Sequence, residues 1–404
     1  DYSREIEIAR AHILRFIEWY DDAGASLEIG GYWCHGMGNA LRFLVALRAN
    51  GFPKIFRQRS CKLQRTAYPL LTMSAGDRFA MNFSDSTCGP LVALSDNGFP
   101  EALVHTGREY KLKPGADPRV AESYARPAMM ILAAEFQDSR LQWYADQCSH
   151  GGGEFALIYG DPDLKATPPG DLPTCVAWPG CGVGVMRSSL TDPKPLLFGL
   201  KAGRARGTVY DDPHCQFDLN AVLLEAFGAP LLADPGYGHR WDNTTGSHLD
   251  PRHHTNSTPP HNSVLVDGRG QLHEHSPFAH LQDLSPSADV DYLVSRVEQG
   301  YGPKVRKFDR HAYMVAKQFY VLVDEVELAK PGTVTWNFHA AKEALVECET
   351  AFVGGGMPRR SLLAKARQSA TTGFKVSVED GISDVGIPGQ ALNLELAQAD
   401  RVES

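Results

Sequence analysis

The chain has 404 residues, a hydrophobic fraction of 43% and a formal net charge of −8. This length can form two domains with separate cores, and no apolar run reaches the roughly 20 residues that a transmembrane helix needs. The negative balance excludes a global attraction to nucleic acid or to another polyanion, so an anionic partner must meet local cations.

The first part of the chain has the apolar spacing of helices. Pro69 and Pro127 are expected to kink or restart the helices that contain them. Helix pairs joined by Gly-rich turns suit a toroid of antiparallel hairpins. Apolar residues recur three or four positions apart in four stretches: 6–20, 41–48, 62–73 and 120–147.

A proline-rich stretch at 162–173 predicts an interdomain linker. We therefore divide the chain into a helical domain, 1–165, and a strand-rich domain, 166–404. Short β-branched runs between turn signals favour an antiparallel β-sandwich, and the chain as a whole is predicted to be an α+β protein of several domains. The predicted strands are 183–186, 196–200, 222–224, 230–232, 264–266, 290–297, 312–315, 319–326, 334–338 and 374–378.

Polar groups that can bind a metal or move a proton stand at the ends of three of these predicted strands. The strands are 222–224, 230–232 and 264–266, and each is short and apolar. A rigid sheet that presents such groups at its ends indicates a scaffold for a site. The polar residues are His214, Gln216, Asp218, Asp234 and His261.

This segment resembles the heparinase II/III-like family of polysaccharide lyases. One difference concerns the second His of the family's opening motif, which is Gln216 here. The first half of the family pattern is fitted by His214, Asp218, Asn220, Leu224, Ala226, Phe227, Gly228, Leu231, Asp234, Gly236 and Tyr237. The second half is fitted by Thr258, His261, Asn262, Leu265, Val266, Asp267, Gly268 and Gln271.

Other segments resemble the same family, and the likeness covers most of the chain up to about residue 345. They are the turn 83–86, Arg310 with the strand 320–326, and the strand 336–339. The resemblance implies an incomplete α/α-toroid followed by an antiparallel β-sandwich. Family toroids begin well over a hundred residues earlier, so the first hairpins are expected in a preceding segment of the same protein. That segment would also carry the Asn or His that neutralises the uronate in relatives. The alternative is that the chain cannot hold a complete lyase site.

The resemblance implies that Tyr32 and His214 are catalytic. Tyr32 lies in a Gly-rich stretch between two predicted helices, where the family has a Tyr that acts as acid, or as both acid and base. His35 replaces a second Tyr of that motif. The alternative interpretations are an aromatic plug between helix ends for Tyr32 and a hydrogen-bonded turn residue for His214, whose imidazole otherwise suits proton transfer.

The resemblance also implies that Gln216, Asp234 and His261 bind a divalent metal. Zinc prefers nitrogen and sulfur ligands, and the amide oxygen of Gln216 is a harder, weaker ligand than the imidazole it replaces. Three alternatives stay open: a harder ion such as manganese or calcium, weakly bound zinc, or a hydrogen-bonded arrangement without metal. In relatives this ion braces the loops.

An acidic polysaccharide or oligosaccharide is the expected substrate, and four further residues are candidates for binding it. They match family positions or supply cations beside the motif, although a solvated basic edge is the alternative. The four residues are Tyr237, Arg240, Arg252 and His254.

Three functions fit these residues. The leading hypothesis is a lyase that cleaves uronic-acid glycans, such as glycosaminoglycans or alginate, by β-elimination. A uronate C-5 epimerase needs the same proton abstraction, and an inactive carbohydrate-binding relative is the third alternative. No nucleic-acid or membrane partner is expected. A periplasmic or secreted location is expected from the family, with a cytoplasmic one left open because the eight scattered cysteines neither require nor forbid disulfides.

Overall fold

A computed structural model describes most of the chain. For Gly31 and Tyr32, the backbone is described, but the side chain of Tyr32 is not. The described residues are 2–26, 30–58, 60–76, 78–79, 81, 83–84, 86, 89–90, 103–105, 110–112, 125–148, 157–204, 215–226, 228–232, 234, 236, 256–272, 278–283, 289–341, 344–347, 352–355, 374–382 and 388–397.

Contacts divide the chain into two compact units. The helical unit comprises residues 1–81, 86–172 and 190–193, and the β unit comprises 82–85, 173–189 and 194–404. The short segment 82–85 therefore belongs by its contacts to the β unit, although helices precede it in the chain.

Helices predominate in the first unit. In the parts of the chain that are described, they are α1 (Ser3–Glu18), α2 (Gly30–Ala49), α3 (Ser60–Arg65), α4 (Ala67–Thr72), α5 (Ala125–Phe136) and α6 (Ser139–Gln147), with a 3-10 turn at Ile55–Arg57. Five short strands accompany them: β1 (Ser74–Ala75), β2 (Arg78–Phe79), β3 (Gly89–Pro90), β4 (Leu103–His105) and β5 (Tyr110–Leu112). None of the helices that could be searched is long and apolar enough to cross a bilayer.

The predicted interruption at Pro69 corresponds to a helix restart, because α3 ends at Arg65 and α4 begins at Ala67. The residues just before α5, which contains Pro127, lie outside the described part of the chain. Pro69 is the third residue of α4 and Pro127 is the third residue of α5. A proline is tolerated in the first turn, because its missing N–H has no intrahelical acceptor there. The stretch 120–147 also breaks at Gln137, whose φ is 53°, and α6 then starts from Asp138 as its N-cap.

The expectation that Tyr32 lies between two helices is wrong. Gly30 is the first residue of α2, so Tyr32 lies in the first turn of that helix. The physical reason is burial, which outweighs the low helix propensity of the glycines. Four apolar residues at helical spacing begin directly after Tyr32 and are nearly inaccessible: Trp33, Met37, Ala40 and Leu41.

The β unit is built from antiparallel strands in two large sheets. Its strands are β6 (Cys175–Trp178), β7 (Val183–Arg187), β8 (Leu197–Lys201), β9 (Gly203–Arg204), β10 (Val222–Ala226), β11 (Ala229–Leu232), β12 (Val264–Val266), β13 (Phe278–Asp283), β14 (Val290–Arg296), β15 (Val305–Val315), β16 (Phe319–Leu328), β17 (Thr333–Ala341), β18 (Ala344–Glu347), β19 (Phe352–Gly355), β20 (Phe374–Ile382) and β21 (Pro388–Ala397). A 3-10 segment, Glu298–Lys304, precedes β15.

One sheet has nine strands, in the order β20-β21-β17-β11-β10-β8-β7-β6, with β12 paired to β17 as well. The other has five strands, in the order β16-β15-β14-β13-β9. Apolar residues from both sheets form one buried cluster, which includes Phe198 and Leu224 from the first and Leu293 and Met314 from the second. The predicted combination of helices with an antiparallel β-sandwich is confirmed.

The structure changes several predicted strands. Residues 312–315 were expected to form a strand of their own, but β15 begins seven residues earlier, at Val305. Charged residues in that extension, Asp309 and Arg310 among them, concealed it, because a strand pattern is recognised by its apolar and β-branched residues. Both of these charged residues are nevertheless buried. Strands β6, β9, β13, β18, β19 and β21 of this unit were not predicted.

Candidate functional site

Three of the predicted site residues are described with their side chains: Gln216, Asp234 and His261. The backbone of Tyr32 is described but its side chain is not. The remaining predicted site residues lie outside the described parts of the chain: His214, Tyr237, Arg240, Arg252 and His254.

The nine-stranded sheet places these three side chains. β10 and β11 form an antiparallel hairpin, and both β11 and β12 pair with β17. The prediction that the three short motif strands share a sheet is therefore confirmed. Gln216 precedes β10, Asp234 follows β11 and His261 precedes β12, so each residue lies in a loop next to a fixed strand end.

The three side chains are almost completely buried, with 0% of Gln216, 2% of Asp234 and 0% of His261 exposed. Asp234 Oδ2 lies 2.8 Å from Nδ1 of His261, and Asp234 Oδ1 accepts a hydrogen bond of 2.9 Å from the backbone N–H of Gly236. The side-chain amide of Gln216 donates to the carbonyl of the same Gly236 at 2.9 Å. A hydrogen-bonded chain thus runs from Gln216 through Gly236 and Asp234 to His261.

Hydrogen bonds join the loop before β10 to the loop before β12. The backbone N–H of Phe217 donates to Asn256 at 3.0 Å, and that of Val222 donates to Asn262 at 3.3 Å. The Asn262 amide returns a bond of 2.8 Å to the carbonyl of Val222. Because buried backbone groups must find partners, these bonds hold the segments that carry Gln216 and His261 in one register.

Gln271 and Tyr301 tighten the same pair of loops. The Gln271 amide donates to the Leu219 carbonyl at 2.8 Å and accepts from the Leu219 N–H at 3.1 Å. The Tyr301 hydroxyl donates to the carbonyl of Val264 at 2.7 Å. Burial raises the pKa of Tyr301, which keeps the hydroxyl protonated and able to donate.

A buried arginine was not recognised as part of this arrangement. Arg310 is 0% exposed and makes two bonds to Asp324, its cross-strand partner, at 2.8 Å from Nε and 2.6 Å from Nη2. Its Nη1 donates to the carbonyls of Asn220 and Asn262. One guanidinium therefore holds both loops, and its match to the family pattern was the one available signal in the sequence.

A second buried charge supports the loop before β10. Asp218 Oδ2 accepts hydrogen bonds from the backbone N–H and the hydroxyl of Ser84, at 3.2 and 3.3 Å. The ammonium of Lys201 lies 3.8 Å from Asp218 Oδ1, and both side chains are 0% exposed. A buried charge needs such partners, so Ser84 and Lys201 fix Asp218 four residues after His214.

The side chains of Gln216, Asp234 and His261 form a set of potential ligands for a divalent ion. The set offers one carboxylate, one imidazole and one amide oxygen, which suits a harder divalent ion better than it suits zinc. Nδ1 of His261 lies 2.8 Å from Asp234 Oδ2, so the imidazole and the carboxylate face each other as two ligands of one ion would. These residues fit such an ion.

The sequence model described as heparinase II/III-like, C-terminal, matches residues 179–391. This match covers more than half of the chain and includes Gln216, Asp234, His261 and Arg310. The chain belongs to the heparinase II/III-like family. No curated protein matches it.

Solved structures of heparinases share the fold. The heparan sulfate lyase HepC from Pedobacter heparinus is 14% identical with a TM-score of 0.69, over 96% of this chain and 52% of that one. A heparinase III gene product is 16% identical with a TM-score of 0.68, over 96% of this chain and 53% of that one. Another heparinase III is 14% identical with a TM-score of 0.65, over 97% and 54%. The chain thus spans about half the length of these relatives.

Proposed function

We propose that this protein is a polysaccharide lyase that cleaves uronic-acid glycans, glycosaminoglycans or alginate, by β-elimination. The observation that carries the proposal is the buried chain of Gln216, Asp234 and His261 at adjoining strand ends of a heparinase-type domain. The named relatives, a heparan sulfate lyase and heparinases III, support the same class of substrate.

The reaction needs a base and an acid. The base removes the proton from C-5 of the uronate, the C-4–oxygen bond breaks as a C-4–C-5 double bond forms, and the acid protonates the leaving oxygen. We assign the acid, or both acid and base, to Tyr32 and assign His214 to proton transfer or to neutralising the uronate carboxylate. Substrate contacts are assigned to the family-like residues Tyr237, Arg240, Arg252 and His254.

We further propose that Gln216, Asp234 and His261 hold a divalent ion of the manganese or calcium class, which would brace the loops. Zinc would bind there more weakly. In the absence of an ion, the hydrogen bond between Asp234 and His261 would hold the same two loops. The helical unit would be the C-terminal part of a toroid, and a periplasmic or secreted location suits an enzyme that acts on extracellular glycans.

Ultraviolet absorbance of the unsaturated uronate product tests the activity directly. Purified protein would be assayed on heparan sulfate, chondroitin sulfate and alginate. We expect Tyr32→Phe and His214→Ala each to lower the rate by ~100-fold or more, the usual scale for a general acid or base. Tyr2→Phe and His280→Ala are matched controls, because both residues are exposed, and they should leave the rate unchanged.

Two outcomes would overturn the proposal. A Tyr32→Phe protein that keeps the wild-type rate would exclude the role given to Tyr32. Deuterium uptake at C-5 without new ultraviolet absorbance would identify an epimerase, because only elimination creates the double bond.

A further inference from the structure

Strand register brings three potential metal ligands together on one face of the five-stranded sheet. Asp309 and His311 are two residues apart on β15, so their side chains point to the same face. Glu325 on β16 is the direct cross-strand partner of Asp309. One ligand atom from each of Asp309, His311 and Glu325 lies within 4.8 Å of the others, which is a spacing that a single ion can bridge.

The imidazole of His311 is oriented towards this cluster. Its Nδ1 lies 2.6 Å from the hydroxyl of Tyr292, and its Nε2 lies 4.0 Å from Glu325 Oε2. This Nε2 is buried and makes no hydrogen bond to any residue that the structure describes. A histidine whose second nitrogen is held by a hydrogen bond has a fixed ring orientation, as metal-binding histidines do.

The Tyr292 hydroxyl can accept a hydrogen bond from Nδ1–H of His311, which leaves Nε2 of that ring unprotonated. The Tyr292 hydroxyl also shares a side-chain hydrogen bond with Tyr313. Their rings are stacked with centroids 4.6 Å apart. If Tyr292 gives its proton to Tyr313 and accepts from Nδ1–H of His311, the lone pair of Nε2 points towards the carboxylates.

A lysine side chain shows that the cluster attracts cations. The ammonium of Lys307 contacts Glu325 Oε2 and lies 3.7 Å from Asp309 Oδ2. Lys307 is 46% exposed, so its long side chain can leave without unfolding the strand. Arg296 lies on the other side, 3.6 Å from Asp309 Oδ2, and is also 46% exposed.

We propose that Asp309, His311 and Glu325 form a site for a divalent transition-metal ion of the zinc class. One imidazole nitrogen and two carboxylate oxygens suit zinc better than magnesium or calcium, which prefer oxygen ligands alone. The ion would replace the ammonium of Lys307 and link β15 to the edge strand β16. This site is separate from the Gln216–Asp234–His261 set and is independent of the proposed lyase activity.

Calorimetric titration with Zn²⁺ alone tests this site, in an Asp234→Asn background that disables the other candidate. We expect one bound ion. Glu325→Gln and His311→Gln should each weaken its binding by ~10-fold or more, since loss even of a supporting group costs that much. Glu327→Gln is the matched control, because Glu327 lies on β16 like Glu325 and is 57% exposed. The Zn²⁺ affinity of the Glu327→Gln protein should equal that of the background protein.

Lys307→Met should change the Zn²⁺ affinity in the opposite direction to Glu325→Gln and His311→Gln. Removing the competing ammonium should tighten Zn²⁺ binding by roughly 2- to 5-fold, the range of an exposed ion pair. If the Asp234→Asn protein does not fold, the number of ions bound by the wild type should fall by one in Glu325→Gln. Equal binding in Glu325→Gln and Glu327→Gln, or weaker binding in Lys307→Met, would overturn the proposal.

Discussion

Each unit of the molecule contains an aspartate that accepts several hydrogen bonds, buried at Asp138 and partly buried at Asp324, but the two aspartates connect different segments of the chain. In the helical unit, Asp138 accepts from the Tyr68 hydroxyl at 2.5 Å, from Gln64 at 2.9 Å and from the backbone N–H and Nε of Arg140 at 3.1 and 3.3 Å. In the β unit, Asp324 accepts two bonds from Arg310 and one of 2.7 Å from the indole of Trp336.

The two networks differ in the exposure and reach of their arginines, Arg140 beside Asp138 and Arg310 beside Asp324. The side chain of Arg140 is 29% exposed, and its second carboxylate partner, Asp171, is 67% exposed. That of Arg310 is 0% exposed, and its remaining donor reaches the carbonyls of Asn220 and Asn262. The Asp138 network caps α6 and ties it to Gln64 in α3 and Tyr68 in α4. The Asp324 network, through Arg310, instead reaches the loops before β10 and β12. Of these two networks, the one that contains Arg310 is therefore the one that contacts the family motif.

Arg310→Met should have the largest effect on stability. It leaves the Asp324 carboxylate, whose side chain is 9% exposed, with a single donor and removes the bonds to two loop carbonyls. Breaking a pair with a fully buried partner in this way typically costs about 3–5 kcal/mol. Urea unfolding measures the loss. Hydrogen exchange read by mass spectrometry should show the increase in exchange at residues 215–222 and 256–263, and not at α6.

The control for this variant is Arg306, which lies on the same strand as Arg310 and pairs with Glu327 on β16. Arg306 lies 3.3 Å from Glu327, and both side chains are more than half exposed. Arg306→Met should therefore cost no more than ~1 kcal/mol. Similar losses for Arg306→Met and Arg310→Met would contradict the view that burial gives the Arg310 pair its importance.

Asp138→Asn should have a smaller, pH-dependent effect. Burial alone would raise the pKa of Asp138, but hydrogen bonds from Tyr68 and Gln64 and the charge of Arg140 lower it below its usual value. The carboxylate therefore stabilises the fold above the unfolded-state pKa of about 3.9, and this stability is lost as the pH falls through the lower folded-state pKa. At neutral pH the variant should lose about 1.5–3 kcal/mol, as for a hydrogen-bonded charge.

The test is urea unfolding of both proteins at a series of pH values from neutral to strongly acidic. The gap between wild type and Asp138→Asn should stay constant down to about pH 5 and then narrow. Asp171→Asn is the control, because that exposed carboxylate contacts the same Arg140, and it should cost no more than ~1 kcal/mol. A gap that widens in acid would reverse the assigned sign.

Local pattern predicted the elements whose apolar residues repeat regularly. The motif strands β10, β11 and β12 were expected from short apolar runs, and the structure places them in one sheet. The first turn of α2 was missed, since two glycines mask a helix that the burial of Trp33 and Met37 stabilises. The start of β15 was missed because buried charged residues interrupt the pattern that identifies a strand.

The candidate site was predictable only in part. Family motifs identified Gln216, Asp234 and His261, but the bridging role of the Gly236 backbone depends on loop geometry that no residue spacing reveals. The Asp309–His311–Glu325 cluster depends on the pairing of β15 with β16. That register becomes visible only once both strands have been placed.

The smallest predicted loss of stability comes from removing one hydrogen-bond donor from each of the two aspartates, Asp138 and Asp324. Tyr68→Phe and Trp336→Phe each delete a single hydrogen bond to a carboxylate, and each should cost about 1–2 kcal/mol. Only Tyr68→Phe should bring the pKa of Asp138 back towards its usual value, because the Tyr68 hydroxyl is the strongest of the groups that lower it. The acid unfolding midpoint should therefore rise in Tyr68→Phe and shift less in Trp336→Phe, where Arg310 still holds Asp324. An equal rise in both variants would show that the two networks respond to protonation alike, despite the different exposure of their arginines.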